Sequence, residues 1–252
     1  MPEPLLSVHG LVTGYGPNAV VEQVDLSLCP GESVALLGVN GAGKTTLVST
    51  IAGLNPLWSG SMTFRGDTVT KAGPEARATM GISLCPEGRQ IFTSLTVEEN
   101  LLIGATPSRR RRPAATAAQV QERLARSYER FPILKERRHG GGGQLSGGEQ
   151  QMLAIARALM SAPELLMVDE PSMGLAPAVA STVYGLLREL KREGLAMIVV
   201  EESSNRALGL VDQCIVLRGG RSVLSAPVGE LPDHATLLEV YLGSSTSEEV
   251  TS

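Results

Sequence analysis

The sequence predicts an α/β fold in which a mostly parallel sheet surrounds a glycine-rich loop, and three observations support this prediction. Parallel strands buried on both faces should be uninterrupted apolar runs, and such runs occur at Ser33–Leu37, Leu165–Val168 and Ala196–Val200. A helical pattern lies between the last two runs, at Ala178–Lys191, and makes a β-α-β unit. The first run leads through glycines into a helical pattern at Lys44–Ala52.

The N-terminal part of the chain adds an antiparallel β region. Its first two apolar segments are separated by the turn residues Gly14, Gly16 and Pro17, which favours two strands joined by a tight connection. A brief apolar segment at Ile82–Cys85 is typical of a buried strand. The strands predicted in this part are Leu5–Val12, Ala19–Leu28, Ser61–Asp67 and Ile82–Cys85.

A helical insertion is predicted at about 96–162. Its first helix should begin with a capping box, because Thr96 can act as the N-cap and Glu99 follows three residues later. The helical patterns within the insertion are Thr96–Ile103, Gln119–Phe131 and Gln150–Met160.

Between and after these helices, several segments read as connections or chain ends. We interpret the four arginines Arg109–Arg112 as a solvated loop, the alternative being a lipid or nucleic-acid contact. The glycine run His139–Gly143 is expected to be flexible. A hairpin is predicted from Gln213–Leu217 and Ser222–Leu224, and a closing helix at Thr236–Leu242.

Composition and charge narrow the class of protein. The 252 residues suit one large domain, expected at 1–243, followed by a polar, acidic and disordered tail at 244–252. The formal net charge of −4 gives no general basic surface for nucleic acid. The three cysteines, Cys29, Cys85 and Cys214, have no metal-ligand spacing. No apolar run approaches the roughly 20 residues of a membrane helix, so any work at a membrane requires an integral partner.

The segment from Gly38 to Thr45 fits the phosphate-loop pattern G-x-x-x-x-G-K-[ST]. Its glycines allow backbone N–H groups to approach phosphate oxygens, and the following helix points its positive end at the anion. Lys44 would reach the β- and γ-phosphates, and the Thr45 hydroxyl would ligate Mg²⁺. ATP and Mg²⁺ are therefore the predicted ligands. The predicted nucleotide-binding residues of the loop are Gly38, Val39, Asn40, Gly41, Ala42, Gly43, Lys44, Thr45 and Thr46.

Two carboxylates follow the apolar run Leu165–Val168, at the sheet edge where α/β proteins bind ligands. Asp169 suits a hydrogen bond to a Mg²⁺-bound water, and Glu170 suits the orientation of an attacking water. A strand followed by Asp-Glu-Pro is a weak signal alone. Together with the phosphate loop it predicts ATP hydrolysis.

A third motif, LSGGEQ at Leu145–Gln150, leads into a helix. Ser146, Gly147 and Gly148 would form a second anion-binding surface at its N-terminus. One phosphate loop suffices for one ATP, so this surface indicates that two chains share each nucleotide. The order of phosphate loop, LSGGEQ and LLMVDE resembles the ATP-binding cassette (ABC) family along nearly the whole chain. This resemblance implies a P-loop ABC-type core with catalytic roles for Glu170, Lys44 and Glu87.

Further segments look like one importer branch of that family, which powers uptake of branched-chain and other hydrophobic amino acids. A closely similar set serves urea and short amides, so that alternative stays open. The resemblance implies a second, possibly non-identical ATPase subunit, two integral permease chains and an extracytoplasmic solute-binding protein. It places the chain at the cytoplasmic face of the cell membrane, with no nucleic acid. The segments are Cys85–Phe92, Ser94–Leu101, Phe131–Arg138, Leu145–Met160 and Asp169–Pro177.

Individual roles also follow from the resemblance. Tyr15 matches the aromatic residue that stacks on adenine, the alternative being a core or turn tyrosine. Glu87 stands where the family usually has a glutamine that senses Mg²⁺ and the attacking water. The segment Glu87–Leu101 would also face the permease. Ser146 and its two glycines would contact the ATP held by the opposite subunit.

The chain departs from the family pattern at two positions. None of its three histidines, His9, His139 and His234, stands directly after Ala196–Val200, and Glu202 falls where cassette ATPases usually place a histidine near the γ-phosphate. A carboxylate there is repelled unless it turns away or is protonated. Ala176 replaces an aspartate of many cassettes. The acid at Glu202 keeps open a nucleotide-binding partner with little catalysis of its own. A second rival is a soluble cassette protein that acts in translation or DNA repair, against which the single cassette without a basic face argues.

Overall fold

The computed structural model describes residues 3–105, 115–202 and 204–232. The arginine run 109–112, the predicted closing helix 236–242 and the predicted tail 244–252 lie outside these residues. The strands, in chain order, are β1 (Leu6–Tyr15), β2 (Asn18–Leu28), β3 (Ser33–Leu37), β4 (Ser59–Phe64), β5 (Asp67–Thr68), β6 (Ile82–Cys85), β7 (Leu165–Asp169), β8 (Ala196–Glu201), β9 (Gln213–Arg218) and β10 (Arg221–Pro227).

Helices cover the sheets and form the middle of the chain. The α-helices are α1 (Lys44–Ile51), α2 (Pro74–Met80), α3 (Val97–Gly104), α4 (Ala117–Arg130), α5 (Pro132–Glu136), α6 (Gly147–Leu159), α7 (Pro177–Arg192) and α8 (Ser204–Ala207). Single 3₁₀ turns lie at Gly142–Gln144 and Val228–Glu230. Helices α3 to α6 fall within the predicted insertion.

Two sheets organise the fold. An antiparallel sheet has the strand order β2-β1-β4-β5, and a larger sheet has the order β10-β9-β3-β8-β7-β6. The larger sheet is parallel except for β10, which pairs antiparallel with β9 at one edge. This arrangement confirms the predicted α/β fold with an N-terminal antiparallel region.

The central strands are apolar throughout because both of their faces are buried. Side chains alternate across a strand, so Val34 and Leu36 of β3 pack on the side of the antiparallel sheet. Ala35 and Leu37 point the other way, into the helical layer. This two-sided burial leaves the ends of the strands as the places where polar side chains can gather.

Several elements differ from the sequence predictions. The glycine run His139–Gly143 is not a free loop: Gly140 O accepts from Val97 N at 3.0 Å, and Gly142 N donates to Leu95 O at 2.8 Å. A Cβ at Gly142 would lie 3.2 Å from Phe92 O, so the glycines permit close backbone packing. Gly14, predicted as a turn residue, pairs with Ala19 inside the β1–β2 ladder.

Helices α2 and α5 and the short strand β5 were not predicted from the sequence. Helix α2 is held by the buried Arg77, whose guanidinium donates to Ile51 O and to Val69 O, both at 3.0 Å. This anchoring leaves no periodic signal, although Pro74 in the first turn and the left-handed Gly81 at the C-cap mark the two ends of α2. By contrast, the capping box of Thr96 and Glu99 at α3 is confirmed.

Candidate functional site

The glycine-rich loop connects β3 to α1 at the end of the central strand. Gly43 is the N-cap of α1 with a φ of 100°, a left-handed conformation that favours glycine. A Cβ at Gly38 would lie 2.5 Å from Leu217 O, so no side chain fits there. The first backbone N–H groups of α1, on Lys44, Thr45 and Thr46, lack intrahelical acceptors and can bind an anion. The Thr46 side chain itself is buried.

Two distant segments brace this loop. Gly220 N, in the turn between β9 and β10, donates to Ala42 O at 3.1 Å. Val20 O, on β2, would lie 3.0 Å from a Cβ at Gly43 and 2.2 Å from one at Gly220. The loop is therefore clamped between the antiparallel sheet and the edge hairpin.

The Lys44 ammonium lies at the centre of the site. It is 5% exposed, donates to Gly38 O at 2.6 Å and lies 3.4 Å from Glu170 Oε1. The loop and the strand end of β7 therefore share one buried positive charge. A buried ammonium that faces both a phosphate loop and a carboxylate is suited to hold a triphosphate next to its point of attack.

Asp169 ends β7 and is 1% exposed. Burial raises the pKa of this carboxyl, the Glu87 charge raises it further, and a hydrogen bond from the Thr45 hydroxyl and the Lys44 charge oppose the shift. Its Oδ1 is buried and has no hydrogen-bond partner among the described residues. An unsatisfied buried carboxylate oxygen beside a threonine hydroxyl fits Mg²⁺, which prefers oxygen ligands.

Glu170 follows in a left-handed conformation, with a φ of 49°, which is strained for a residue with a side chain. Its side chain is 11% exposed. Burial and the nearby Glu201 charge raise the pKa of Glu170 to about 7, against the opposing Lys44 charge and a hydrogen bond from the Glu202 backbone. A carboxyl with such a pKa is matched to proton exchange near neutral pH.

Ser146 is the N-cap of α6 and forms a capping box with Glu149. A Cβ at Gly147 would lie 3.2 Å from the Arg89 guanidinium, and one at Gly148 only 2.3 Å from Val179 Cγ1 on α7. Gly148 is thus also required for packing of α6 against α7. No hydrogen bond recorded for the described residues joins Ser146–Gly148 to the glycine-rich loop.

Three further predicted site residues are exposed. Tyr15 ends β1 with its side chain 55% exposed, and its hydroxyl accepts from Asn55 Nδ2 at 3.0 Å. Glu87, after β6, is exposed and acts on Asp169 through its charge. Glu202 follows β8, and its Oε2 accepts from Asn40 Nδ2 of the glycine-rich loop at 3.1 Å.

Glu201, which is 4% exposed at the end of β8, was not predicted from the sequence as a site residue. Its Oε1 accepts from the Tyr184 hydroxyl at 2.7 Å and from the Ser172 hydroxyl at 2.8 Å. An acid directly after a fully apolar strand was the available signal. Only Glu202 was assigned a role there, because the alternation that sends Glu201 inward needs the strand end to be known.

The described residues contain neither a group of three acidic, histidine or cysteine side chains arranged to hold a metal ion nor a helix long and apolar enough to cross a membrane. The first finding does not exclude a Mg²⁺ site. Thr45 and phosphate oxygens can complete the coordination that Asp169 begins.

The chain is similar to known proteins over nearly its whole length. The sequence model of a family described as ABC transporter matches residues 21–173, more than half of the chain. The chain is 39% identical over 239 residues to the high-affinity branched-chain amino acid transport ATP-binding protein BraG of Pseudomonas aeruginosa, covering 95% of this chain and 100% of that protein. It is 32% identical over 240 residues to a probable branched-chain amino acid transport ATP-binding protein, LivF, of Archaeoglobus fulgidus, covering 95% and 99%.

Solved structures give the same picture. A nucleotide-free ATP-binding cassette from an ABC transporter superposes with a TM-score of 0.81 at 25% identity, covering 95% of this chain and 99% of that one. The ADP conformation of an ATP-binding cassette of an ABC transporter superposes with a TM-score of 0.80 at 25% identity, covering 96% and 99%.

Proposed function

The chain belongs to the ABC transporter family, and from this premise we propose that it is the ATP-hydrolysing subunit of an importer for branched-chain or other hydrophobic amino acids. One observation supports the catalytic part most directly. The buried Lys44 ammonium lies 3.4 Å from Glu170 Oε1, at the mouth of a glycine-rich loop built for phosphate. The similar proteins BraG and LivF are both described as branched-chain amino acid transport ATP-binding proteins, which supports the proposed substrate class.

The proposed mechanism uses groups at the carboxyl-terminal ends of the parallel strands. The loop N–H groups and Lys44 bind the phosphates, and Thr45 and Asp169 would hold Mg²⁺. When bound, Mg²⁺ neutralises phosphate charge and stabilises the developing charge of the transferred group. Glu170 then orients the attacking water by accepting a hydrogen bond from it. The exposed ring of Tyr15 would stack on adenine.

The partners proposed are a second ATPase subunit and two integral permeases, reached from outside by a solute-binding protein. A groove of about 330 Å³ between the helical insertion and the core supports permease docking. Large apolar side chains line it and are exposed: Leu54 is 60%, Phe92 46% and Ile103 41% exposed. Docking there would place the chain at the cytoplasmic face of the membrane.

The test of this function combines assembly and transport. The tagged chain should co-purify with two integral membrane proteins, and deletion of its gene should abolish high-affinity uptake of labelled leucine while urea uptake stays normal. A chain that purifies without membrane partners, or a deletion that impairs only urea uptake, would contradict the proposed importer.

A shared nucleotide site gives a further expected result. Ser146→Arg should weaken photoreactive ATP labelling of the partner ATPase subunit more than labelling of this chain, because in the proposed arrangement Ser146 contacts the ATP held by the opposite subunit. Ser127→Arg tests only the helical insertion, since Ser127 is a buried residue of α4, and should reduce stability without this asymmetry. Loss of labelling confined to this chain would refute shared sites.

The acid at Glu202 gives another expected result. Glu202→Gln keeps an oxygen that can accept from Asn40 but removes a charge that repels the γ-phosphate. The ATPase rate of the assembled complex should therefore stay the same or rise. A drop of about tenfold, or ~1.4 kcal/mol in the activation barrier, with unchanged ATP affinity would show that the carboxylate itself is required.

A further inference from the structure

Glu201 is a buried carboxylate that the mechanism above does not use. It continues the side-chain alternation of β8, in which Met197 and Val199 face the helical layer. Its place in that layer puts it under Tyr184 of α7, whose hydroxyl donates to Oε1 at 2.7 Å. Placing a carboxylate in such a layer costs free energy unless hydrogen bonds compensate.

The same oxygen also holds the loop that follows Glu170. Ser172 donates to Glu201 Oε1 twice, from its hydroxyl at 2.8 Å and from its backbone N–H at 3.3 Å. Glu170 N donates to Val200 O at 3.0 Å, so backbone and side chain together join this loop to the end of β8. One carboxylate oxygen thus connects three elements around Glu170: the loop, β8 and α7.

The conformation of Glu170 makes this connection significant. Its left-handed backbone, with a φ of 49°, is costly for a glutamate and persists only where the surroundings impose it. The hydrogen bonds to Ser172 lie two residues further along the chain. They restrain the direction in which the chain leaves Glu170, and with it the side chain that faces Lys44.

We propose that Glu201 is a positioning residue for ATP hydrolysis, which fixes the loop after Glu170 so that the Glu170 carboxylate stays directed at the site of attack. This inference rests on the proposed function. The positioning effect of Glu201 passes through its bonds with Ser172 and Tyr184, whereas its charge acts directly on the pKa of Glu170.

A second carboxylate in the chain offers a matched control. Asp212 Oδ2 accepts from both the backbone N–H and the hydroxyl of Ser33, each at 2.9 Å, and Asp212 Oδ1 accepts from Lys191 at 2.7 Å. In both the Ser33–Asp212 and the Ser172–Glu201 groups, one carboxylate accepts from the backbone N–H and the hydroxyl of a serine and from one further side chain. The Ser33 group lies at the amino-terminal end of β3. The Ser172 group lies next to Glu170, beyond the carboxyl-terminal ends of the parallel strands.

The experiment compares these two groups of bonds in the full chain assembled with its permeases. Glu201→Ala, Ser172→Ala and Tyr184→Phe should each lower kcat, by up to about 10²-fold for Glu201→Ala, because small displacements of a catalytic group have effects of that size. ATP affinity should stay near wild type. Glu201→Gln keeps an acceptor oxygen and should recover most of kcat. Ser33→Ala should lower the melting temperature but leave kcat unchanged.

A direct readout of the loop separates positioning from general stability. Hydrogen exchange at the Ser172 amide should be faster in Glu201→Ala and unchanged in Ser33→Ala, since only the first loses its acceptor. If Glu201→Ala does not fold, Ser172→Ala and Tyr184→Phe carry the test, because each removes one hydroxyl and keeps the acid.

The outcomes distinguish this inference from the proposed function. Wild-type kcat in Ser172→Ala and Tyr184→Phe, combined with collapse of turnover in Glu170→Gln, would refute the positioning role and leave the ATPase assignment standing. Normal turnover in Glu170→Gln would exclude Glu170 as the catalytic carboxylate, and absence of ATP turnover in the wild-type complex would refute the assignment itself. A Glu201→Gln variant as slow as Glu201→Ala would assign the effect to charge and also contradict positioning.

Discussion

Lys44→Ala should abolish or greatly weaken ATP binding while the fold stays intact. Lys44 Nζ donates to Gly38 O at 2.6 Å and lies 3.4 Å from Glu170 Oε1, so it is already held at the mouth of the loop. A charge-assisted hydrogen bond contributes roughly 1.5–3 kcal/mol, which corresponds to about a 10- to 150-fold loss of affinity for each phosphate contact removed. Equilibrium binding of a fluorescent ATP analogue measures the loss.

Lys191→Ala is the matched control for that variant. Lys191 Nζ also donates to a backbone carbonyl and a carboxylate, Leu210 O at 2.8 Å and Asp212 Oδ1 at 2.7 Å, but at the opposite edge of the sheet. Its removal should lower thermal stability and leave ATP affinity unchanged. Wild-type nucleotide affinity in Lys44→Ala would show that the glycine-rich loop is not part of the nucleotide-binding site.

Glu170→Gln should abolish turnover while ATP still binds and holds the two ATPase subunits together. The substitution keeps the shape of the side chain but removes the acceptor charge that orients the attacking water. General-base catalysis contributes typically about 10²–10⁴-fold, so the rate should fall by that range. Single-turnover hydrolysis and size-exclusion chromatography with ATP measure the two effects.

The stability of the Glu170→Gln variant should not fall. Burial and the Glu201 charge already disfavour an ionised Glu170, and the amide removes that repulsion. Glu193→Gln is the control, because Glu193 pairs with Arg130 away from the site. Unchanged turnover in Glu170→Gln would exclude a catalytic role for this carboxylate.

The parts of the fold with strong local signals were predictable. Strand β3 has the predicted limits, Ser33–Leu37, because an apolar run ends abruptly at a glycine. The capping box at Thr96 was equally readable from the sequence. Helix α2 was missed although Pro74 in its first turn and the left-handed Gly81 at its C-cap are local signals, whereas the bond from Arg77 to Ile51 O, 26 residues away, could not be read from a local pattern.

The site residues also differ in whether a local sequence pattern predicts them. The phosphate loop and the Asp169-Glu170 pair are motifs whose residues are neighbours in sequence, so they can be recognised from the sequence pattern alone. The role of Glu201 depends on Tyr184 and Ser172, and their approach is decided by the packing of α7 on the sheet. The left-handed backbone of Glu170 is likewise imposed by tertiary contacts rather than by residue type.

The bracing of the glycine-rich loop has a consequence for folding during synthesis. Ala42 O is bonded to Gly220 N, and the backbone at Gly38 packs against Leu217 O. These partners are translated long after the motif itself, so a nascent chain carries the whole motif without the contacts that shape it. Contacts of such high sequence separation form only after a large entropic cost of chain closure. Competence to bind nucleotide therefore matures late on the ribosome, and the most recognisable stretch of the sequence is among the last parts to acquire its native form.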